Sequence, residues 1–296
     1  MKTTSDDQWT TRTLLRWMID HFESRGIDSP RLVAEMLLAS VLECERMRLY
    51  MEADRPASQA ERDTLRELVT RASKDEPVQY LLSEAWFFGQ PFHVDPSVLS
   101  PRPSTETLVE HIVHELKGRE DLKAPRIADI GTGSGCISTS IALNLAQATL
   151  LATDISEPAL EMARKNAAKH SVADRIEFGT GSLLQPLVDR GERFDAIGSN
   201  PPYIPDHEWD SVEPNVKDYE PHGALRGGTD GLEYVRPLIE GAGEWLVPEG
   251  VLAIEIAACQ EKEVIAIAKQ TGWYDAIEVL KDHEGLPRVL VAKRKA

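Results

Sequence analysis

From Arg126 to Ser199, short apolar runs alternate with segments of helical period, and several of the runs stop at glycine or proline corners. Strands are read at 126–130, 149–154, 176–179 and 194–199, and helices at 136–145 and 158–170. Strands joined through a helix run parallel, because the crossover carries the chain back across the sheet before the next strand begins. Such strands are covered on both faces, which fits Leu150-Leu151-Ala152 and Ala196-Ile197, apolar without alternation. A helix at 104–116 precedes this block, and strands at 251–256 and 287–292 follow it. The fold class is α/β, a doubly wound Rossmann-like sheet.

Ahead of the sheet lies a region of different character. Leu14, Leu15, Met18, Ile19 and Phe22 recur at helical spacing, as do Val33, Leu37, Leu38 and Val41. Ser29-Pro30 marks a helix start, and Ser58 with Glu61 forms a capping box before Leu65, Leu68 and Val69. Residues 1–76 are read as a small all-α domain. Residues 77–103 are read as a connector: five prolines shape it, and Trp86 to Val94 forms a hairpin turning at Gly89. The α/β domain occupies 104–296.

Composition narrows the function. The formal net charge is −16, from 49 acidic and 33 basic side chains. A surface of that sign repels phosphate backbones, so direct nucleic-acid binding is not expected, whereas a basic protein partner is compatible. The same charge also serves solubility. Three scattered cysteines provide neither a disulfide framework nor zinc spacing, and the histidines offer no metal-ligand pattern. The N-terminal residues lack an apolar signal core, and no apolar run has the length of a membrane span; the expectation is a cytoplasmic monomer.

The first candidate site is the corner after residues 126–130. Asp129-Ile130 leads into Gly131-Thr132-Gly133-Ser134-Gly135, a strand-to-helix turn whose bare backbone can approach a ligand closely. Cys136 stands where a dinucleotide fold requires its third glycine, and no Walker lysine follows. A smaller ligand, with an amino-acid tail and a ribose, suits this turn better. Asp154, ending the next strand, is placed to accept from two vicinal ribose hydroxyls, and its charge is compatible with the sulfonium of S-adenosylmethionine. Its bland alternative is an N-cap on the helix that follows.

The second is Asn200-Pro201-Pro202-Tyr203, at the end of strand 194–199. The prolines stiffen the corner and lack N–H groups, so it offers acceptors. A substrate NH₂ can donate one hydrogen to the Asn200 side-chain oxygen and the other to the Pro201 carbonyl, while Tyr203 stacks on the planar group. Holding both hydrogens aims the nitrogen at an incoming methyl carbon, so a dedicated base is unnecessary.

At these residues the chain resembles the HemK/PrmC family of protein-(glutamine-N5) methyltransferases. The likeness also runs through Pro77–Leu81, Trp86–Gly89, Pro101-Arg102-Pro103 through Thr105-Glu106, Tyr219-Glu220-Pro221, Gly228–Leu232 and Gly285–Arg288. The resemblance implies S-adenosylmethionine contacts at Asp129, Gly131, Thr132, Gly133, Ser134, Gly135, Asp154, the backbone around Leu183, and Asn200. It implies a glutamine pocket of Asn200, Pro201, Pro202 and Tyr203, the substrate being the Gly-Gly-Gln glutamine of class I peptide-chain release factors, docked by the helical domain. The chain departs from the family's pattern at Ser104 and Ser182, where acidic residues are usual, and at Ala257, where glycine is usual. Rival readings are methylation of a glutamine on a large-subunit ribosomal protein, nucleic-acid adenine methylation, and a non-catalytic cofactor-binding scaffold. The first differs in partner alone; the second needs a basic cleft and a base-flipping surface, and the third should have lost the asparagine or a glycine.

Overall fold

The computed structural model describes residues 9–119 and 122–296. The chain divides into two compact units, one of residues 1–83 with Pro214–Tyr219, the other of Glu84–Glu213 with Glu220–Ala296. The hairpin therefore belongs to the α/β unit, and the helix before it to the smaller one. The smaller unit holds α1 (Thr11–Ser24), α2 (Pro30–Val41), α3 (Arg46–Met51), α4 (Gln59–Ala72) and α5 (Val78–Leu82). Leu14, Met18 and Phe22 of α1 meet Leu37 and Leu38 of α2 and Leu65 and Val69 of α4 in one buried cluster. The Ser58–Glu61 capping box forms as the sequence indicates. Ser29 precedes α2 in a left-handed conformation and makes no side-chain cap, leaving Pro30 in the first turn as the start signal.

In the larger unit, β1 (Glu84–Phe87) pairs antiparallel with β2 (Gln90–His93). Phe88 and Gly89 between them both have positive φ, the geometry of a tight hairpin turn. There follow α6 (Pro103–Lys117), β3 (Arg126–Ile130), α7 (Cys136–Asn144), β4 (Thr149–Asp154), α8 (Glu157–Lys169), β5 (Ile176–Thr180), α9 (Gln185–Arg190) and β6 (Phe194–Ser199). After α10 (Pro214–Lys217), which lies in the smaller unit, come α11 (Val235–Trp245), β7 (Leu246–Glu255), α12 (Glu261–Thr271), β8 (Tyr274–Lys281) and β9 (Pro287–Arg294). The sheet order is β5-β4-β3-β6-β7-β9-β8. The first five strands are parallel; β9 pairs antiparallel with β7 and with β8.

Successive side chains of each strand enter opposite cores. Ile127, Leu150, Ala196 and Val251 pack with Leu108, Ile112, Ile137 and Ile141, and with Phe87 and Phe92 of the hairpin. Ala128, Leu151, Ile197 and Leu252 pack with Leu238, Ile239, Val264 and Ile267 on the other face. This double burial explains why the strands read as continuous apolar runs. Among the described residues no helix is long and apolar enough to cross a membrane.

One buried amide ties the hairpin to the glycine corner. Asn166 of α8 accepts from the His93 N–H (2.7 Å) and donates to the carbonyls of His93 (2.9 Å) and Ser134 (2.8 Å). It thus joins β2 to the glycine corner after β3. Replacing Asn166 with Ala leaves one donor and two acceptors without these partners, and each such orphan costs about 1–3 kcal/mol. We expect Asn166→Ala to destabilise the α/β unit by about 3 kcal/mol, read as a lower urea midpoint; an unchanged midpoint would show that the clamp contributes nothing.

Candidate active site

After β5 the chain returns across the sheet to place β6 beside β3, so neighbouring strands leave this point in opposite directions along the sheet order. Ligand crevices of open parallel sheets form outside the carboxyl ends of the strands at such a switch point. A cavity of about 530 Å³ lies there, within the ~300–1,000 Å³ range of small-molecule sites. Gly131, Thr132, Gly133 and Ser134 line it, together with Asp154, Leu183, Asn200, Pro201 and Pro202. Asp129, Gly135 and Tyr203 do not.

The glycine corner is shaped by its own hydrogen bonds. The N–H groups of Gly131 and Thr132 both donate to the Thr153 carbonyl at 2.8 Å, folding the chain back over β4. Gly131, Gly133 and Gly135 have φ of 71°, 54° and 76°. At Gly135 a β-carbon would stand 2.9 Å from the β-carbon of Ala163, so this glycine lets α8 approach. Nothing lies within 4 Å of the corresponding point at Gly131 or Gly133, where the corner faces open space. Asp129 works from beneath: Oδ2 accepts from Thr132 Oγ1 (2.6 Å) and from the Ser138 N–H (3.1 Å), which locks the corner to the first turn of α7. Its Oδ1 is buried and has no hydrogen-bond partner among the described residues.

Asp154 accepts from the N–H of Gly133 (2.9 Å) through Oδ2 and from the N–H of Ser156 (2.9 Å) through Oδ1. Each oxygen keeps a second lone pair. The N-cap of α8 is Ser156, whose hydroxyl accepts from the Ala159 N–H, so Asp154 does not fill that role. The carboxylate instead lies on the cavity wall. Leu183 is on the same wall with φ of 49°, a left-handed conformation uncommon for a branched side chain. Ser182, one of the departures from the family's pattern, lines the cavity beside it.

At the end of β6, Asn200 donates from Nδ2 to Thr105 Oγ1 (3.1 Å). No described residue donates to its Oδ1. Thr105 Oγ1 donates to Glu255 Oε2 (2.6 Å), and Ser104 Oγ and Tyr203 Oη both reach Glu255 Oε1 at 3.2 Å. Glu255 is wholly buried, and that burial raises its pKa above the ordinary carboxylate value. Tyr203 therefore points back into the protein and packs against the second core. Its hydroxyl braces the corner from the side of Glu255, and desolvation raises its pKa. Gln260, also buried, completes the brace by donating to the carbonyls of Gly231 (3.0 Å) and Tyr203 (3.3 Å). A β-carbon at Gly231 would meet the Tyr203 oxygen at 2.5 Å. Arg102, which also lines the cavity, donates to buried Glu220 at 2.6 Å.

Comparison with known proteins places this geometry. A family model for the PrmC N-terminal domain matches residues 13–82, and one for the methyltransferase small domain matches 93–216. The release factor glutamine methyltransferase of Geobacter sulfurreducens is 38% identical over 95% of this chain and 96% of its own. That of Rhodopirellula baltica is 38% identical over 98% of both chains. The chain belongs to the release factor glutamine methyltransferase family. The hMettl16 catalytic domain, solved with the MAT2A 3′UTR hairpin 6, shares the fold at a TM-score of 0.52, with 17% identity over 79% of this chain and 82% of that one.

Sequence reading of this methyltransferase missed Thr105, Glu255 and Gln260 as partners of the asparagine corner. Thr105 and Glu255 are 150 residues apart. Their one local signal was the pair of departures at Ser104 and Ala257, the first adjoining Thr105 and the second two residues after Glu255.

A second buried acid of the site, Asp129, titrates where it can be tested. Burial pushes the Asp129 carboxyl up to about 6, its bonds to Thr132 and Ser138 opposing and the charge of Asp154 adding. Between pH 4 and 6 the folded protein holds this proton while the unfolded chain has released it. The contribution to stability is present below about pH 4 and lost as pH rises through 6. The loss is about 3 kcal/mol. Asp129→Asn cannot titrate, so its stability relative to wild type should climb by about 3 kcal/mol from pH 4 to pH 7; parallel denaturation curves across that range would contradict the buried charge.

Proposed function

We propose that this chain transfers the methyl group of S-adenosylmethionine to the side-chain amide nitrogen of the Gly-Gly-Gln glutamine of class I peptide-chain release factors, in the cytoplasm. The observation that carries the reading is Asn200, whose Nδ2 is committed to Thr105 while Oδ1 carries no bond from the described residues at the cavity wall. The residues fit the cofactor. Gly131 and Gly133 bring unobstructed backbone to the cavity, Asp154 offers its remaining lone pairs to ribose hydroxyls, and Leu183 and Ser182 supply the wall for the base.

The cofactor, when bound, supplies an electrophilic methyl group on a sulfonium leaving group. The chain's own contribution is position. An amide nitrogen is a poor nucleophile because its lone pair is delocalised into the carbonyl. Asn200 Oδ1 and the Pro201 carbonyl each accept one hydrogen of the substrate NH₂, which fixes the plane of the amide and favours rehybridisation at nitrogen. Orientation of this kind can supply roughly 7–11 kcal/mol of barrier reduction. Full-length similarity to release factor glutamine methyltransferases supports the choice of substrate.

Purified enzyme, labelled cofactor and a class I release factor test the proposal, with the modified residue mapped by mass. Label on a large-subunit ribosomal protein, and none on the release factor, would overturn the substrate. Asn200→Ala should lower transfer by about a thousandfold, the scale of losing one oriented group at a reacting centre, with less than about tenfold change in cofactor affinity. Asp154→Asn should weaken cofactor binding by about 10–100-fold in calorimetry, as expected when hydrogen bonds to a charged group worth ~1.5–3 kcal/mol are lost; unchanged affinity would remove the ribose role.

A further inference from the structure

Asn200 has two ends of nearly equal size, and only one of them is useful to an amide NH₂. With Oδ1 towards the cavity it accepts a substrate hydrogen; turned about its last bond, it would present Nδ2, a donor facing a donor. Shape alone does not choose between these, since the two orientations differ only in oxygen and nitrogen.

We infer that Glu255, acting through Thr105, is the positioning residue that sets which end of Asn200 faces the substrate. This inference rests on the proposed function and extends it. An ionised carboxylate only accepts. Thr105 lies 2.6 Å from Glu255 Oε2, so its single hydroxyl hydrogen is committed there. Only lone pairs of Thr105 Oγ1 then remain for Asn200 at 3.1 Å, and only Nδ2 can answer them. The direction of the chain is Asn200 to Thr105 to Glu255, and it leaves Oδ1 to the cavity. Ser104 and Tyr203 donate to the other carboxylate oxygen, so donors meet the carboxylate from three side chains.

Protonating Glu255 permits the reverse chain. The new O–H donates to Thr105 Oγ1, Thr105 turns its hydrogen towards Asn200, and the amide flips to accept it. One proton is taken up from solvent, and no covalent bond beyond that O–H changes. The titratable groups around Glu255 are Tyr203 from the asparagine corner, Arg288 from β9 and the Cys136 thiol from α7. Arg288, bonded to Asp282 at 3.1 Å, favours the ionised acid, while burial favours the protonated one.

Three variants test this in the full-length enzyme, with a release factor as methyl acceptor. Thr105→Val removes the hydroxyl at nearly constant volume and should lower kcat at least tenfold, with KM and cofactor affinity within about threefold of wild type. Thr105→Ser restores the relay and should return most of the rate. Glu255→Gln has no titrating acid, so an acid-side fall in kcat, present in wild type above the ordinary carboxylate range, should vanish from its pH profile. Cofactor affinity reports folding in each case. Wild-type kcat in Thr105→Val, or an identical acid limb in Glu255→Gln and wild type, overturns the inference. A wild-type enzyme that methylates no release factor overturns the proposed function instead.

Discussion

The pairing of β3 with β6 sets the geometry on which the site depends. Ile130 is opposite Ser199 in that register, and Ser199 Oγ donates to the Ile130 carbonyl at 2.7 Å. The glycine corner and the asparagine corner therefore leave the sheet side by side from adjacent parallel strands. Parallel pairing with a crossover separates these segments by some 65 residues in sequence while making them neighbours in space. A slip of one residue would turn every side chain of β6 to the opposite core. The face of β6 against α6 has little room for it, since even a β-carbon at Gly198 would stand 3.1 Å from Ile112 and 3.3 Å from Leu108.

Much of this was readable in advance, for identifiable reasons. The strands 126–130, 149–154 and 194–199 end where the sequence says because a glycine, an aspartate or a proline corner stops each one. The fold class followed from that punctuation, and the family from the resemblance of motifs along the chain. The edge was harder to read. β8 is missing from the sequence reading because Tyr274–Lys281 mixes charged and apolar residues, as half-exposed edge strands do. The antiparallel course of β9 has no local signal either, since a run such as Val289-Leu290-Val291 is equally apolar in both directions.

The site divides in the same way. Residues that line the cavity are clustered in short motifs that stand out in the sequence: Gly131 to Ser134, Asp154 and Asn200 to Pro202. Residues that fix those motifs were not. Asn166, Thr105, Glu255 and Gln260 act on segments 29 to 150 residues away, and each looks unexceptional within its own helix or strand. Tyr203 shows the limit of reading a motif residue by residue. A tyrosine beside two prolines suggests an aromatic platform alone, whereas its hydroxyl also reaches a buried acid.

The imino acids at the asparagine corner have a consequence for discrimination. Glutamate has nearly the outline of glutamine, but its ionised end carries only lone pairs. Pro201 and Pro202 cannot donate from the backbone, and the amide hydrogens of Asn200 are turned away, so such a guest meets lone pairs with lone pairs. Sites whose buried polar groups are left unanswered in this way reject a misfit on the order of 10⁴-fold. On the proposed role of this corner, a deamidated substrate would thus be refused where the amide is held, with no separate proofreading device.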